Sequence, residues 1–365
     1  MGLPEKLRQA RQAKGLSTRR VAEILVKRFP ISHATVANYE TGRTKPPLPV
    51  LSVLADLYER PLNWFLKNGR TLMAVRYRNL PSRVRIAERH RFEAEVHRWL
   101  EAYLDIEGRM DRPLKSDLED FRAEKKEAPD DFARRLRVKL DVREHEPIQS
   151  VIEVLERFGI RVMEQSTELR IDGLAARFGD EYVVVLNPNA SNDRSRLNAA
   201  HELGHVLYGD CDKQDGQEPK ELEVRAFTFA SHFLMPNSQL KRAFEGQSMV
   251  RLVQFKERFG VSLAAMLYRA EHVGFVPKRM AKRLWVEFSR RGWRTNEPGY
   301  VRPDRATRFE QLLDQALFQG KLTLQETANL FEVRADELRM RLDMALCVGF
   351  SDSDGPMSVK FPGQP

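Results

Sequence analysis

The pentapeptide HELGH at 201–205 constrains this chain more than any other stretch. Residues four apart on an α-helix stand on one face, so His201 and His205 can point a ring nitrogen at the same ion. Glu202 is turned about 100° from His201. It lies beside such an ion rather than on it, within reach of a proton on an activated water. NAAHELGHVLYG reads as a helix that places Ala199, Ala200, Leu203 and Val206 for packing. Gly204, a poor helix former, leaves room for a neighbouring strand to come close. A catalytic Zn2+ takes three protein ligands and keeps one position open, so a third ligand is needed. ELEVRAFTFASHFLMP offers Glu221 and Glu223 on the next predicted helix, and the polar loop GDCDKQDGQEP lets the two helices pack antiparallel.

The rest of the chain must accommodate that helix pair. Its 365 residues suggest two or three domains. No apolar run approaches the roughly 18 residues that span a bilayer, and MGLPEKLRQARQAKG is too polar for a secretory signal. Cys211 and Cys347 form no CxxC, so neither a disulfide framework nor a thiolate metal site is expected, and the cytoplasm is the default compartment. Charge is unevenly spread. Residues 1–70 hold 13 Lys and Arg against 5 Asp and Glu, whereas the other 295 residues hold 48 against 47. Nearly all the excess positive charge lies in the first fifth of the chain, the footprint of a small nucleic-acid module on a neutral body.

The pattern predicts a mainly α protein with a small β-sheet, an α+β class. Residues 1–70 read as five short helices, with Ser17 and Ser32 as N-caps, Gly15 and Gly42 as stops, and LNWFL as the fifth helix. Residues 71–125 read as a helical linker. A third region, 126–295, begins with two helices, APDDFARRLRVKL and PIQSVIEVLERFG. The period then changes: IRVMEQ, RIDGLAARFG and EYVVVLNP are short, β-branched and bounded by turn residues, as strands are. Helices over about 193–209, 219–234 and 249–272 follow. Residues 296–365 are read as a helical C-terminal region, with helix over 306–348 and a disordered tail. Its helix-turn-helix rhythm is read as packing rather than as a second DNA reader, because Glu326, Glu332, Asp336 and Glu337 populate it.

HELGH followed by E-x-x-A-x-x-F-A-x-x-F-L-M-P resembles the ImmA/IrrE metallopeptidases, over roughly residues 130–275. That resemblance implies a zincin-like fold, Zn2+ held by His201, His205 and Glu223, and Glu202 as catalytic base. Glu221 remains the alternative third ligand. One departure stands out: the family often has Asn or Asp four residues after the ligand Glu, and this chain has Phe227. A partner that orients a histidine is then missing or supplied elsewhere. His232, nine residues after Glu223, is expected to face away from the metal. Arg196 and Tyr208 flank the motif helix, where packing is the plainer reading than oxyanion stabilisation, and Cys211 is read as a spectator.

Residues 3–67, with KGLS, TVANYETGRTKP and LSVLADLYERPLNWFL, resemble the Xre-type, lambda-repressor-like helix-turn-helix. The resemblance implies that the helix starting at Ser32 enters the major groove of double-stranded DNA. His33, Ala34 and Asn38, with Thr18, would face base edges, and Arg19, Arg43 and Lys45 would meet phosphates. It also makes Arg11 and Glu40 an internal ion pair. EILVKRFP makes the second helix and turn about one helical turn longer than usual, and a homodimer is expected.

Together these readings describe a cytoplasmic transcriptional regulator carrying a zinc endopeptidase domain, whose substrate is a helix-turn-helix repressor or the chain itself. Two other readings use the same residues. In one, the peptidase fold is a non-catalytic sensor or dimerisation domain. In the other, the chain is an antitoxin that represses its own promoter.

Overall fold

The computed structural model describes residues 2–331, except 27, 61, 63–64, 66–71, 79, 81–82, 125, 167–168, 170 and 213–219. The expected fifth helix at 62–66 lies mostly outside the described residues. So do the helix beyond 331, Glu332, Asp336, Glu337, Cys347 and the tail.

The chain starts with four helices, α1 (Leu3–Ala13), α2 (Thr18–Leu25), α3 (His33–Thr41) and α4 (Leu48–Leu57). They close on one core that includes Leu7, Val21, Leu25, Val36, Leu51, Leu54 and Tyr58. Both serine caps form, Ser17 accepting from the Arg20 N–H and Ser32 from the Thr35 N–H. Gly42 ends α3 in the left-handed conformation, φ 76°. The expected ion pair is present and bidentate: Arg11 Nε donates to Glu40 Oε1 at 2.6 Å and Nη2 to Oε2 at 2.8 Å. The extra length between the second and third helices is not in α2, which stops at Leu25. It forms a longer turn, where Phe29 packs against the core.

A four-stranded mixed sheet organises the rest. Its strands are β1 (Leu72–Arg78), β2 (Ile160–Glu164), β3 (Gly173–Phe178) and β4 (Glu181–Leu186), in the order β1-β3-β4-β2. β2 and β4 are parallel; the other pairs are antiparallel. β1 departs from the sequence reading, which placed helix there. It contributes the outer strand beside β3, with a bulge between Met73 and Arg76 and Ala74 at φ 48°. Only the paired sheet reveals which face its arginines occupy.

Both faces of the sheet are covered, which explains the unbroken apolar run in β4. Alternate residues separate cleanly. Val184 and Leu186 join a core built with α6 (Pro129–Lys139), α7 (Val151–Arg157), α8 (Asn192–Leu207) and α9 (Lys220–Leu234). Val183 and Val185 face α5 (Ile86–Met110) and the C-terminal helices α14 (Arg308–Phe318) and α15 (Leu324–Phe331). The stretch read as helical over 249–272 forms two helices, α11 (Met249–Phe259) and α12 (Leu263–His272). They are divided by Gly260 at φ 67°, a conformation in which glycine avoids the Cβ clash. α10 (Asn237–Phe244) precedes them and α13 (Lys278–Arg290) follows. α1 also packs along α5, where Arg91 lies against Gly15.

The C-terminal helices are knitted in by charge as well as apolar burial. Arg161 of β2 donates to Glu107 of α5 at 2.5 Å, and Arg308 of α14 donates to the other Glu107 oxygen at 2.6 Å. The side chains of Arg161 and Glu107 are each 2 % exposed. Removing one partner of such a pair strands the other charge. Glu107→Ala should therefore cost about 3–5 kcal/mol, read from the urea midpoint of the full chain; an unchanged midpoint would contradict this role.

Candidate metal centre

α8 carries the HELGH motif across the sheet. Ala199, Ala200, Leu203 and Val206 all bury as their spacing predicts. Gly204 does permit close approach, but of a helix rather than the expected strand. A Cβ there would come 3.0 Å from Phe229 Cδ1 and 3.4 Å from the Ala226 backbone, both on α9. The contact sets α9 near enough for Glu223, one turn earlier, to meet the histidines.

It meets both. Glu223 Oε2 lies 3.2 Å from His201 Nε2, and Glu223 Oε1 lies 3.2 Å from His205 Nε2. The two Nε2 atoms are 3.0 Å apart. Ligands at about 2.0–2.1 Å from a tetrahedral zinc stand roughly 3.3 Å from one another, so these three residues fit one metal ion. Glu221 is exposed and outside this group. The histidines are almost fully buried, while Glu223 is about one-third exposed, which leaves an approach from one side.

The missing polar residue at 227 is replaced for one histidine by a residue not singled out in the sequence. Asp210, in the turn after α8, lies 3.0 Å from His205 Nδ1. A carboxylate only accepts, so Nδ1 carries the proton and the Nε2 lone pair faces the ligand cluster. Asp210 is itself held. Arg225 Nη2 donates to its Oδ1 at 2.6 Å, and Arg76 Nη2 donates to its carbonyl at 2.8 Å. Burial opposes ionisation, but the bonds from His205 and Arg225 hold the Asp210 carboxyl below its usual range. The only local signal was an Asp five residues after the second histidine. His201 Nδ1 is buried with no hydrogen-bond partner among the described residues. Burial, aided by Arg78 and His205 and opposed by Glu223, lowers the His201 pKa to about 4. The ring is therefore neutral near pH 7, the form that binds a metal.

Glu202 is buried on the sheet side of the cluster. A Cβ on Gly173 would stand 2.8 Å from Glu202 Oε1, so the bare backbone of β3 makes room for this carboxylate. Beside the cluster a cavity of about 340 Å³ runs along α9. Arg78, His201, Glu223, Phe227, Tyr268 and His272 line it, and so does His232. His232 thus borders the cavity while standing outside the ligand group. The cavity extends more than three turns along α9, from Lys220 to His232, so a residue rotated from the ligands still borders it. Burial lowers the His232 pKa to about 4, with Arg269 adding to the effect. Phe227 packs edge-to-face with Tyr268, so the residue replacing Asn or Asp forms an aromatic wall.

The other flanking residues make packing and ion-pair contacts. Arg196 donates to Asp304 Oδ2 at 2.8 Å and to the Ile148 carbonyl at 2.5 Å. Tyr208 lies under Arg225 and against Phe132. Cys211 is buried, and burial raises its thiol pKa well above the usual value.

Residues 155–271 match the model of a peptidase family described as the IrrE N-terminal-like domain, and residues 3–63 match that of a helix-turn-helix domain. The chain carries both domains. No match was found among curated proteins. β1 and α5 lie outside the span matched by the IrrE-like domain, although β1 completes its sheet. On the helix-turn-helix domain, Arg19, His33, Ala34, Arg43 and Lys45 are exposed, and Thr18 and Asn38 are half-buried. Ser32 is exposed, but its hydroxyl is used as the α3 cap. Among the described residues, no helix is long and apolar enough to cross a membrane.

Loss of a carboxylate that orients a metal-binding histidine typically weakens metal affinity about 10–100-fold. Asp210→Asn should show that loss in a competitive zinc titration while the secondary structure is retained. Wild-type affinity in the variant would exclude the orienting role.

Proposed function

We propose that the chain is a DNA-binding regulator with a zinc-dependent endopeptidase domain that cleaves a helix-turn-helix repressor, either a copy of itself or a partner chain. The observation that carries this reading is the buried His201–His205–Glu223 cluster, with Glu202 beside it and an open cavity alongside. His201, His205 and Glu223 hold the zinc; bound there, it would make water more acidic and polarise the scissile carbonyl. Glu202 takes the proton of the attacking water and delivers it to the leaving amine as the C–N bond breaks. Asp210 keeps His205 in the tautomer the cluster needs, and Gly173 keeps Glu202 close. The aromatic cavity wall favours an apolar side chain next to the cleaved bond.

At the other end, α3 is the groove-reading helix. His33, Ala34, Asn38 and Thr18 form the base-facing group, with Ser32 capping the helix at the groove; Arg19, Arg43 and Lys45 contact phosphates. The excess of Lys and Arg over residues 1–70 supports this assignment. The protein is a cytoplasmic homodimer, each copy reading half an operator.

The central experiment incubates zinc-loaded wild type and Glu202→Gln, alone and with candidate repressors, and follows intact mass. Equal zinc content with cleavage only by wild type is expected. Cleavage that persists in Glu202→Gln would remove Glu202 from the chemistry, and absence of zinc would reject the metallopeptidase. DNA binding is tested separately on a random-sequence duplex over a salt series. Arg43→Ala should reduce the slope of log affinity against log salt by about 0.9; an unaltered slope would exclude a phosphate contact.

A further inference from the structure

Arg78 is the last residue of β1 and lines the cavity with His201 and Glu223. Its Nη1 is buried and makes no hydrogen bond among the described residues.

The sheet register explains how it comes to be there. Arg78 pairs with Gly173 across the antiparallel β1–β3 ladder. Residues directly opposite in such a ladder project to the same face. Gly173 projects toward Glu202, since a Cβ there would meet the Glu202 carboxylate. Arg78 therefore leaves the sheet on the side of the motif helix. Two residues earlier, Arg76 leaves on the same side and reaches the Asp210 carbonyl. Burial lowers the Arg78 pKa, while Glu202, Asp172 and Glu223 oppose the shift. Their charges let the guanidinium remain ionised at the cavity.

We propose that Arg78 is a catalytic residue of the endopeptidase, donating through its guanidinium to the oxygen of the scissile carbonyl as that oxygen becomes negative. This rests on the peptidase reading above. As water adds to the carbonyl carbon, its proton passes to Glu202 and the C=O π pair moves onto oxygen, which Arg78 stabilises. As the carbonyl re-forms, the C–N bond breaks and Glu202 returns the proton to the amine nitrogen. A donor placed in advance where charge develops is a large source of rate enhancement. Because β1 precedes the span matched by the IrrE-like domain and follows the DNA-binding helices, the active site includes a residue from the segment joining the two domains.

The test uses the zinc-loaded full chain as wild type, Arg78→Met and Arg78→Lys, with calorimetric binding of two probes. N-phosphoryl-Leu-Trp carries a tetrahedral phosphoryl group resembling the hydrated carbonyl; acetohydroxamate serves as a metal ligand that does not need the arginine. Arg78→Met should weaken the phosphoryl probe about 100-fold, Arg78→Lys should weaken it less, and zinc and acetohydroxamate affinities should be unchanged. Equal phosphoryl affinity in all three proteins overturns the proposal. So does parallel loss of both probes, which would mark a general collapse of the site, or a wild type that holds zinc but does not bind the phosphoryl probe. A wild type that holds no zinc overturns the peptidase reading, and this inference with it.

Discussion

The approach of α9 to α8 at Gly204 is the constraint on which the candidate site depends. Two histidines on one helix face supply only two ligand atoms. The third comes from a separate helix and reaches them because no side chain keeps Phe229 and Ala226 away at that crossing. Even a methyl group would crowd the Phe229 ring while touching the Ala226 backbone, and interiors this dense yield little. The same crossing buries both imidazoles, and burial keeps His201 neutral and ready to coordinate.

Around that crossing the polar groups form a chain of support. Glu223 faces both Nε2 atoms, His205 turns its other nitrogen to Asp210, and Asp210 is gripped by Arg225 and Arg76. A buried carboxylate with this many donors holds a ring in one tautomer at small entropic cost. Phe227, in place of a polar residue, is compatible with the same histidine geometry because Asp210 comes from the turn instead. The position is then free to become part of an apolar wall. The departure from the family pattern alters the cavity more than the ligand cluster.

The sheet links this centre to the rest of the molecule. One face bears α8 and its cluster; the other bears α5, against which α1 of the DNA-binding domain also packs. β1 lies at the edge of the sheet and sends Arg76 to the second-histidine support and Arg78 to the cavity. Displacing β1 would alter both together. The first C-terminal helix adds to the α5 face through Arg308 and Glu107.

Local chemistry made a good part of this legible in the amino-acid sequence. The four-residue spacing of His201 and His205, the caps at Ser17 and Ser32, the stop at Gly42 and the charge excess over 1–70 depend only on neighbours along the chain. So do the three β-branched strands, whose apolar runs differ in period from the helices. Other features depended on contacts between distant segments. The choice of Glu223 over Glu221 required the α8–α9 crossing, although the family resemblance had anticipated it. Asp210 looked like a loop residue until the turn folded it under His205. β1 was read as helix because its strand character lies in its pairing with β3, and two arginines in seven residues resemble a solvated surface. His232 was placed by helical angle alone, which cannot foresee that the cavity runs along α9 from Lys220 to His232. Spacing along one helix determined what the motif could bind; the packing of separate elements decided which residues complete it.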